Sequence, residues 1–500
     1  MPSLGVECSA SCLIFIPWFV PPCTTLPILA VSFRLMRAIF FGLISMVSLP
    51  FLAQGQSTLS FPRAIQPSEL GTSGFAVVNP GTDNATATFT LYKADGTIGA
   101  VSTQTVPRRG QISKLGSELF PSATNAGWVE ATSTSYGLQG FWLGGDFVNF
   151  ADGADAAASS PELILPIVTP RSEIHIANTG TSRVTVVMRL YGEEGFELAP
   201  VAVQSIPPKG FFKAESSALF PSPNLATATH VKLTCVNPFA ATVIVRDFIA
   251  GPSWAVANAV PSSLPATNIN FPNVVDGPLS AANYRSVLGI TNLSANPNDV
   301  TITFTSEDGL LVRSIQRTIP ANGAIRDIVR NLFGITDLFL NGWVKVTGLL
   351  PITGFVAYAD TVAGEVAIVP TQSEPQANLL FAHIADLPPW LTGLALLNTG
   401  SRAANIEIFA LAPDGSLIGG AENVATARFA LPAGTKTSKL LSQWIPQTQT
   451  RTSDGGFIYV RSDVPVYGIE LFFSRSLLIL SNVAAGKIVP GITYVPPPPR

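Results

Sequence analysis

Gly74-Phe75-Ala76-Val77-Val78-Asn79-Pro80-Gly81, followed by Ala85-Thr86-Ala87-Thr88-Phe89-Thr90-Leu91-Tyr92 and then Asp95-Gly96, is the stretch that decides the fold. A short apolar run ends in an Asn-Pro-Gly turn. The next segment alternates with period two and is rich in Thr and aromatics, as a half-buried strand requires. Asp-Gly then closes a hairpin, because Gly supplies the positive φ of a tight turn. Val101 to Val106 is the returning strand, and Pro107-Arg108-Arg109-Gly110 turns the chain again. A segment ending in Leu119-Phe120-Pro121 reads as one helical turn at an end of the sandwich. Trp128-Val129-Glu130-Ala131-Thr132 and Leu138 to Leu143 supply the last strands.

These stations return three more times. Openings of an apolar residue and Pro stand at Phe61-Pro62, Leu165-Pro166 and Phe271-Pro272, with Phe381-Ala382 as the fourth copy. The Asn turn recurs at Asn178, Asn292 and Asn398, and the hairpin turn at Glu194-Gly195, Asp308-Gly309 and Asp414-Gly415. The copies lie roughly 100–115 residues apart, too long for a propeller blade or solenoid coil and right for one β-sandwich. The sequence therefore predicts an all-β chain: a tandem array of four antiparallel immunoglobulin-like β-sandwich domains at 56–162, 163–268, 269–376 and 377–495. A fifth opening at Val489-Pro490 suggests that each opening segment spans a junction, which predicts a semi-rigid rod. Residues 496–500 form a Pro-rich, extended tail.

Residues 1–55 read differently. Met36-Arg37, the apolar stretch Ala38 to Leu52 and Ala53-Gln54-Gly55 have the layout of a secretory signal peptide, with translation starting at Met36. The rival reading, a membrane-anchored start, is opposed by Pro17, Pro21, Pro22 and Pro27, which interrupt the preceding apolar segment. Loss of residues 1–55 removes Cys8, Cys12 and Cys23, leaving Cys235 and no internal disulfide. Cys235, in the alternating run from Val231, is expected to be a buried thiol. Later residues contain no apolar run long enough to span a membrane as a helix. The expected location is outside the cell or on its surface.

Composition narrows the partners. Charged residues make up 12% of the chain and the net charge is −3, so no basic surface points to nucleic acid. The 41 Gly and 41 Pro are spread along the chain, as many short strands joined by turns require.

The succession from Phe75 through Asn79-Pro80-Gly81, Tyr92, Asp95-Gly96 and Pro107–Gly110 to Ser117-Glu118-Leu119-Phe120-Pro121 resembles a poorly characterised, immunoglobulin-like tandem repeat of secreted bacterial proteins. Gly342-Trp343-Val344-Lys345-Val346 and Pro351 to Gly354 match the same pattern, and repeat two departs most, with no Gly-Trp pair before Val231. The resemblance covers roughly residues 60–490. It implies an extracellular structural role and supplies no catalytic residues.

Little in the chain points to catalysis. The three histidines, His175, His230 and His383, are scattered, no Gly-x-Ser-x-Gly elbow occurs, and no His/Cys/carboxylate spacing fits a metal. No cofactor is expected. Asp152-Gly153-Ala154-Asp155 reads as a linker that falls short of a calcium loop. Trp128 and Trp343 share a station and read as core. Trp142 and Trp254, near the ends of their repeats beside the Gly144-Gly145 and Gly251-Pro252 turns, are expected to be buried at a junction between repeats; exposed on loops instead, they are the candidate ligand-binding residues, offering ring faces to sugars. The expected function is that of a secreted, non-catalytic structural, spacer or adhesive element whose partner is a cell-envelope or extracellular polysaccharide or protein. The alternative is a carbohydrate-binding surface protein that uses the loop tryptophans.

Overall fold

The computed structural model describes residues 56–487 apart from 149, 249–252, 264–265, 280–281, 420–425, 452–454 and 475–478. The signal peptide, the start at Met36, the three N-terminal cysteines, the Gly251-Pro252 turn, the Val489-Pro490 station and the Pro-rich tail lie outside the described residues.

Repeat one shows how the local grammar folds. Its strands are β1 (Ser57–Ile65), β2 (Ser73–Asn79), β3 (Ala85–Tyr92), β4 (Ile98–Val106), β5 (Gly110–Leu115), β6 (Gly127–Ser133), β7 (Gln139–Gly145) and β8 (Ala151–Asp155). They form two four-stranded antiparallel sheets, ordered β1-β6-β3-β4 and β5-β2-β7-β8. The period-two pattern of β3 buries Ala85, Ala87, Phe89 and Leu91 against Phe61, Phe75 and Val77 of the same core. The single helical turn expected before Phe120 is Gly116–Leu119, and it returns as Ser216–Leu219, Val329–Phe333 and Leu441–Trp444. Across the described residues the protein is all-β, built of several antiparallel sheets.

The repeated asparagine is a structural lock. Asn79, Asn178, Asn292 and Asn398 are all buried. Each donates from Nδ2 to the carbonyl four residues on, at 2.8–2.9 Å. Each Oδ1 accepts the N–H two residues on, at 2.9–3.0 Å. Nδ2 also reaches the carbonyl that ends the returning strand: Val106, Ile206, Ile319 or Leu431. A buried amide that satisfies both its ends pins the turn to the strand beside it.

The rod expected from the sequence is not what forms. The described residues lie within one compact unit. The hairpin tip of each repeat, with Gly96, Gly195, Gly309 and Gly415 at φ of +75 to +85°, docks on the Pro-to-Gly turn of the next. Ala324 N–H donates to Glu193 O at 3.0 Å and Lys436 N–H to Glu307 O at 3.1 Å. The tip of repeat four returns to repeat one, where Gln111 N–H donates to Pro413 O at 2.8 Å. The Gln111 side chain seals that contact with bonds to Ala382 O, Gly456 O and Gly456 N–H.

The cores follow the same circuit. The core of repeat one includes Ile244 and Val256 of repeat two, and that of repeat two includes Phe355 and Ile368 of repeat three. The third takes in Ala395, Ile469 and Leu480 of repeat four, and the fourth takes in Val78 and Phe141 of repeat one. In the middle, the strands Ala151–Asp155, Trp254–Asn258, Val366–Pro370 and Ile479–Val483 pack each on the next and the last on the first. A head-to-tail contact that closes makes a ring; one that does not makes a filament. Here it closes inside one chain.

The reading of Asp152 to Asp155 as a linker is also corrected. The segment is β8, paired with β7, because Ala151 and Ala154 are small enough to sit where four repeats converge. Cys235 is half-buried, packed against the core of repeat two, and not the fully buried thiol expected.

Candidate functional site at the repeat junctions

The polar side chains that sequence reasoning passed over gather where repeat one meets repeat two. β1 carries Arg63 across its own sheet onto the strand Glu173–Ala177 of repeat two. The Arg63 guanidinium donates to Glu69 Oε1 at 2.6 Å and lies 5.2 Å from the centre of the Trp142 ring. Ala64 N–H donates to His175 Nδ1 at 3.0 Å, and the other ring nitrogen, Nε2, meets Glu173 Oε1 at 2.8 Å. Nδ1 therefore accepts and Nε2 carries the proton. This is a neutral imidazole, consistent with burial, which lowers its pKa. Glu173 also meets Lys213 Nζ at 3.1 Å and Arg246 at 3.8 Å. Burial works against its charge, but the bond to His175 and the Lys213 charge prevail and hold the carboxyl at about 2.

The candidate tryptophans frame this cluster. Trp142 lies inside β7 and is 1% exposed: the ring is core at a junction, capped by Arg63, and the loop-borne, sugar-binding alternative is corrected there. Trp254 opens the strand Trp254–Asn258 and is half-buried, its ring stacked on Phe150 at 3.8 Å with the Arg246 guanidinium 4.4 Å from its centre. The structure brings the two into one core, at a junction between repeats. Trp128 and Trp343 are buried as expected, and Trp128 Nε1 donates across the same junction to Lys209 O at 2.7 Å.

The histidines do not converge. His230 is stacked on Tyr191 and bonded to Thr229, and burial lowers it to about 3. His383 stacks on Phe141 where repeat four meets repeat one. His175 is 0% exposed and does not present its ring to solvent. Among the described residues, no three His, Cys, Asp or Glu gather as a metal would require.

The centre of the ring holds a second group that the sequence did not mark. Asp152 accepts from Ser481 Oγ at 2.6 Å, Gly153 N–H at 2.7 Å and Val256 N–H at 2.6 Å, tying repeats one, two and four together. Burial pushes its carboxyl up to about 7, against the pull of those three donors. The signal for it was available only as a polar residue in an Ala- and Gly-rich run.

No family model and no curated protein matches the chain. A solved structure described as "Crystal structure of tetra-tandem repeat in extending region of large adhesion protein" aligns with 12% identity over 87% of this chain and 99% of that chain, with a TM-score of 0.11. A score that low carries no argument about how the repeats of this chain are arranged. Among the described residues, no helix is long and apolar enough to cross a membrane.

Proposed function

We propose that the chain is an exported, non-catalytic structural or adhesive element of the cell surface, in which four immunoglobulin-like sandwich repeats form one closed body. The observation that carries this reading is the closure itself: the tip of repeat four bonds to the turn of repeat one. Side chains that would otherwise offer chemistry, His175 and Asp152, are used to join repeats. Outward faces of four linked repeats give multivalent contact, in which avidity exceeds any single affinity.

The test is retention of the purified chain on the producer's cell envelopes and on insoluble polysaccharides. Retention on envelopes that is lost in single repeats supports multivalent adhesion. Turnover of a substrate by the purified chain, or retention on neither matrix, overturns the reading.

A further inference from the structure

The junction between repeats three and four is hollow where the junction between repeats one and two is full. The openings align Arg63 with Asn273, in Phe61-Pro62-Arg63 and Phe271-Pro272-Asn273. Counted back from Asn178 and Asn398, Glu173 and His175 correspond to Gly393 and Ala395. Strand register extends the match: His175 faces Lys213, and Ala395 faces Ser438. Arg, Glu, His and Lys of one junction are thus Asn, Gly, Ala and Ser at the other. The four long side chains occupy the first junction, Arg63 over Trp142 and Glu173 between His175 and Lys213. Their short counterparts border a cavity of about 440 Å³, lined also by residues such as Leu471 and Phe473.

A Cβ built on Gly393 meets its first neighbour, Leu471 O, at 3.6 Å, an ordinary contact, so the strand has room for a side chain and carries none. The volume falls within the range of about 300–1,000 Å³ typical of small-molecule sites, which are mostly apolar with a few placed polar groups. Its charged lining residue, Lys439, holds its ammonium 5.9 Å from the centre of the Trp444 ring. The ammonium of Lys436, behind the wall, bonds Asn273 and Ser438. Lys436 is thus engaged and Lys439 is exposed at the rim, and the rest of the lining is mostly aliphatic and aromatic, with Asn273 and Ser438 as polar points.

We propose that this cavity binds a small, uncharged, lipophilic molecule that carries one hydrogen-bonding group. A charged group would lose its hydration inside the apolar lining, since the cation that borders the cavity, Lys439, is exposed beside the Trp444 ring and not buried within. The proposal stands independently of the adhesive reading.

The experiment is a fluorescence titration of the full chain with N-phenyl-1-naphthylamine, an uncharged aromatic amine, alongside Ala395→Phe and Ser438→Leu. The expected result is one saturable site in the parent and at least a tenfold weaker affinity in each folded variant, because each side chain grows into the cavity. If Ala395→Phe does not fold, Ser438→Leu gives the answer alone. Absence of a saturable site in the parent, or unchanged affinity in the folded variants, overturns the proposal.

Discussion

The first and third junctions of the ring use the same backbone for opposite ends. At the first, charged and polar side chains fill the space and hold one another. At the third, small residues leave it open. Strand pairing, turn docking and the asparagine lock are shared, so the difference rests on the side chains at a few stations. A repeat fixes the frame on which a junction is built, and single substitutions at its stations decide whether that junction is a weld or a pocket.

The largest effect should come from breaking the filled junction. Glu173→Ala strips Lys213, Arg246 and His175 of their shared partner and should cost about 3 kcal/mol, since removing one member of a buried ionic network leaves the others uncompensated. Chemical denaturation measures it. A cost below about 1 kcal/mol would show that the ionic cluster adds little beside the apolar core and the Ala64–His175 bond that cross the first junction.

Next in size is a change to the shared frame. Asn398→Ala removes one acceptor and an amide that reaches three carbonyls, and should cost about 2 kcal/mol by the same measurement. Asn178→Ala should cost a similar amount. A large inequality between them would mean that the two junctions do not rest on an equivalent frame.

The pH dependence separates the ring centre from the third junction. Asp152, raised from 3.8 to about 7, binds its proton more tightly folded than unfolded. Its contribution is fully present below about pH 4 and is lost as pH rises through about 7. Lys436, lowered by burial from 10.5 to about 7, behaves the opposite way: its contribution is present above about pH 10.5 and is lost as pH falls through about 7. Buried His175 and His230 oppose Asp152 below about pH 6.5, so each contribution is read as the difference between the parent and one variant. The difference between parent and Asp152→Asn should vary between pH 4 and 7 and be flat from 8 to 10. For Lys436→Met the variation should lie between pH 7 and 10.

The smallest effect should come from partly filling the open junction. Gly393→Ala adds a methyl in free space and reduces the freedom of the unfolded chain, so a gain of about 0.5 kcal/mol in thermal or chemical unfolding is expected. A loss of stability would mean that the strand at Gly393 needs glycine for its backbone and that the cavity is not spare room.

Much of the local structure was legible in the residues. The alternation from Ala85 to Tyr92 marked β3 at both ends, and Asp-Gly or Glu-Gly marked each hairpin tip. Those signals are short-range: a period of two, and a positive φ that glycine alone accepts cheaply. β8 was missed because Asp152-Gly153-Ala154-Asp155 has the composition of a loop, and only three converging donors make a strand with a buried carboxylate tenable there. The glycines beside Trp142 kept a loop-borne ring open as an alternative in the sequence, but β7 needs those small residues beside Arg63 and β8.

The sequence by itself determined the all-β class, the repeat and the lock residue of each turn, because all three depend on contacts a few residues long or on one hairpin. Closure of the fourth repeat on the first was decided by the tertiary structure alone. So was the meeting of Arg63, Glu173, His175 and Lys213 at one junction and of Asn273, Gly393, Ala395 and Ser438 at another. Closure is the sum of small rotations between successive repeats, and no local pattern carries that sum.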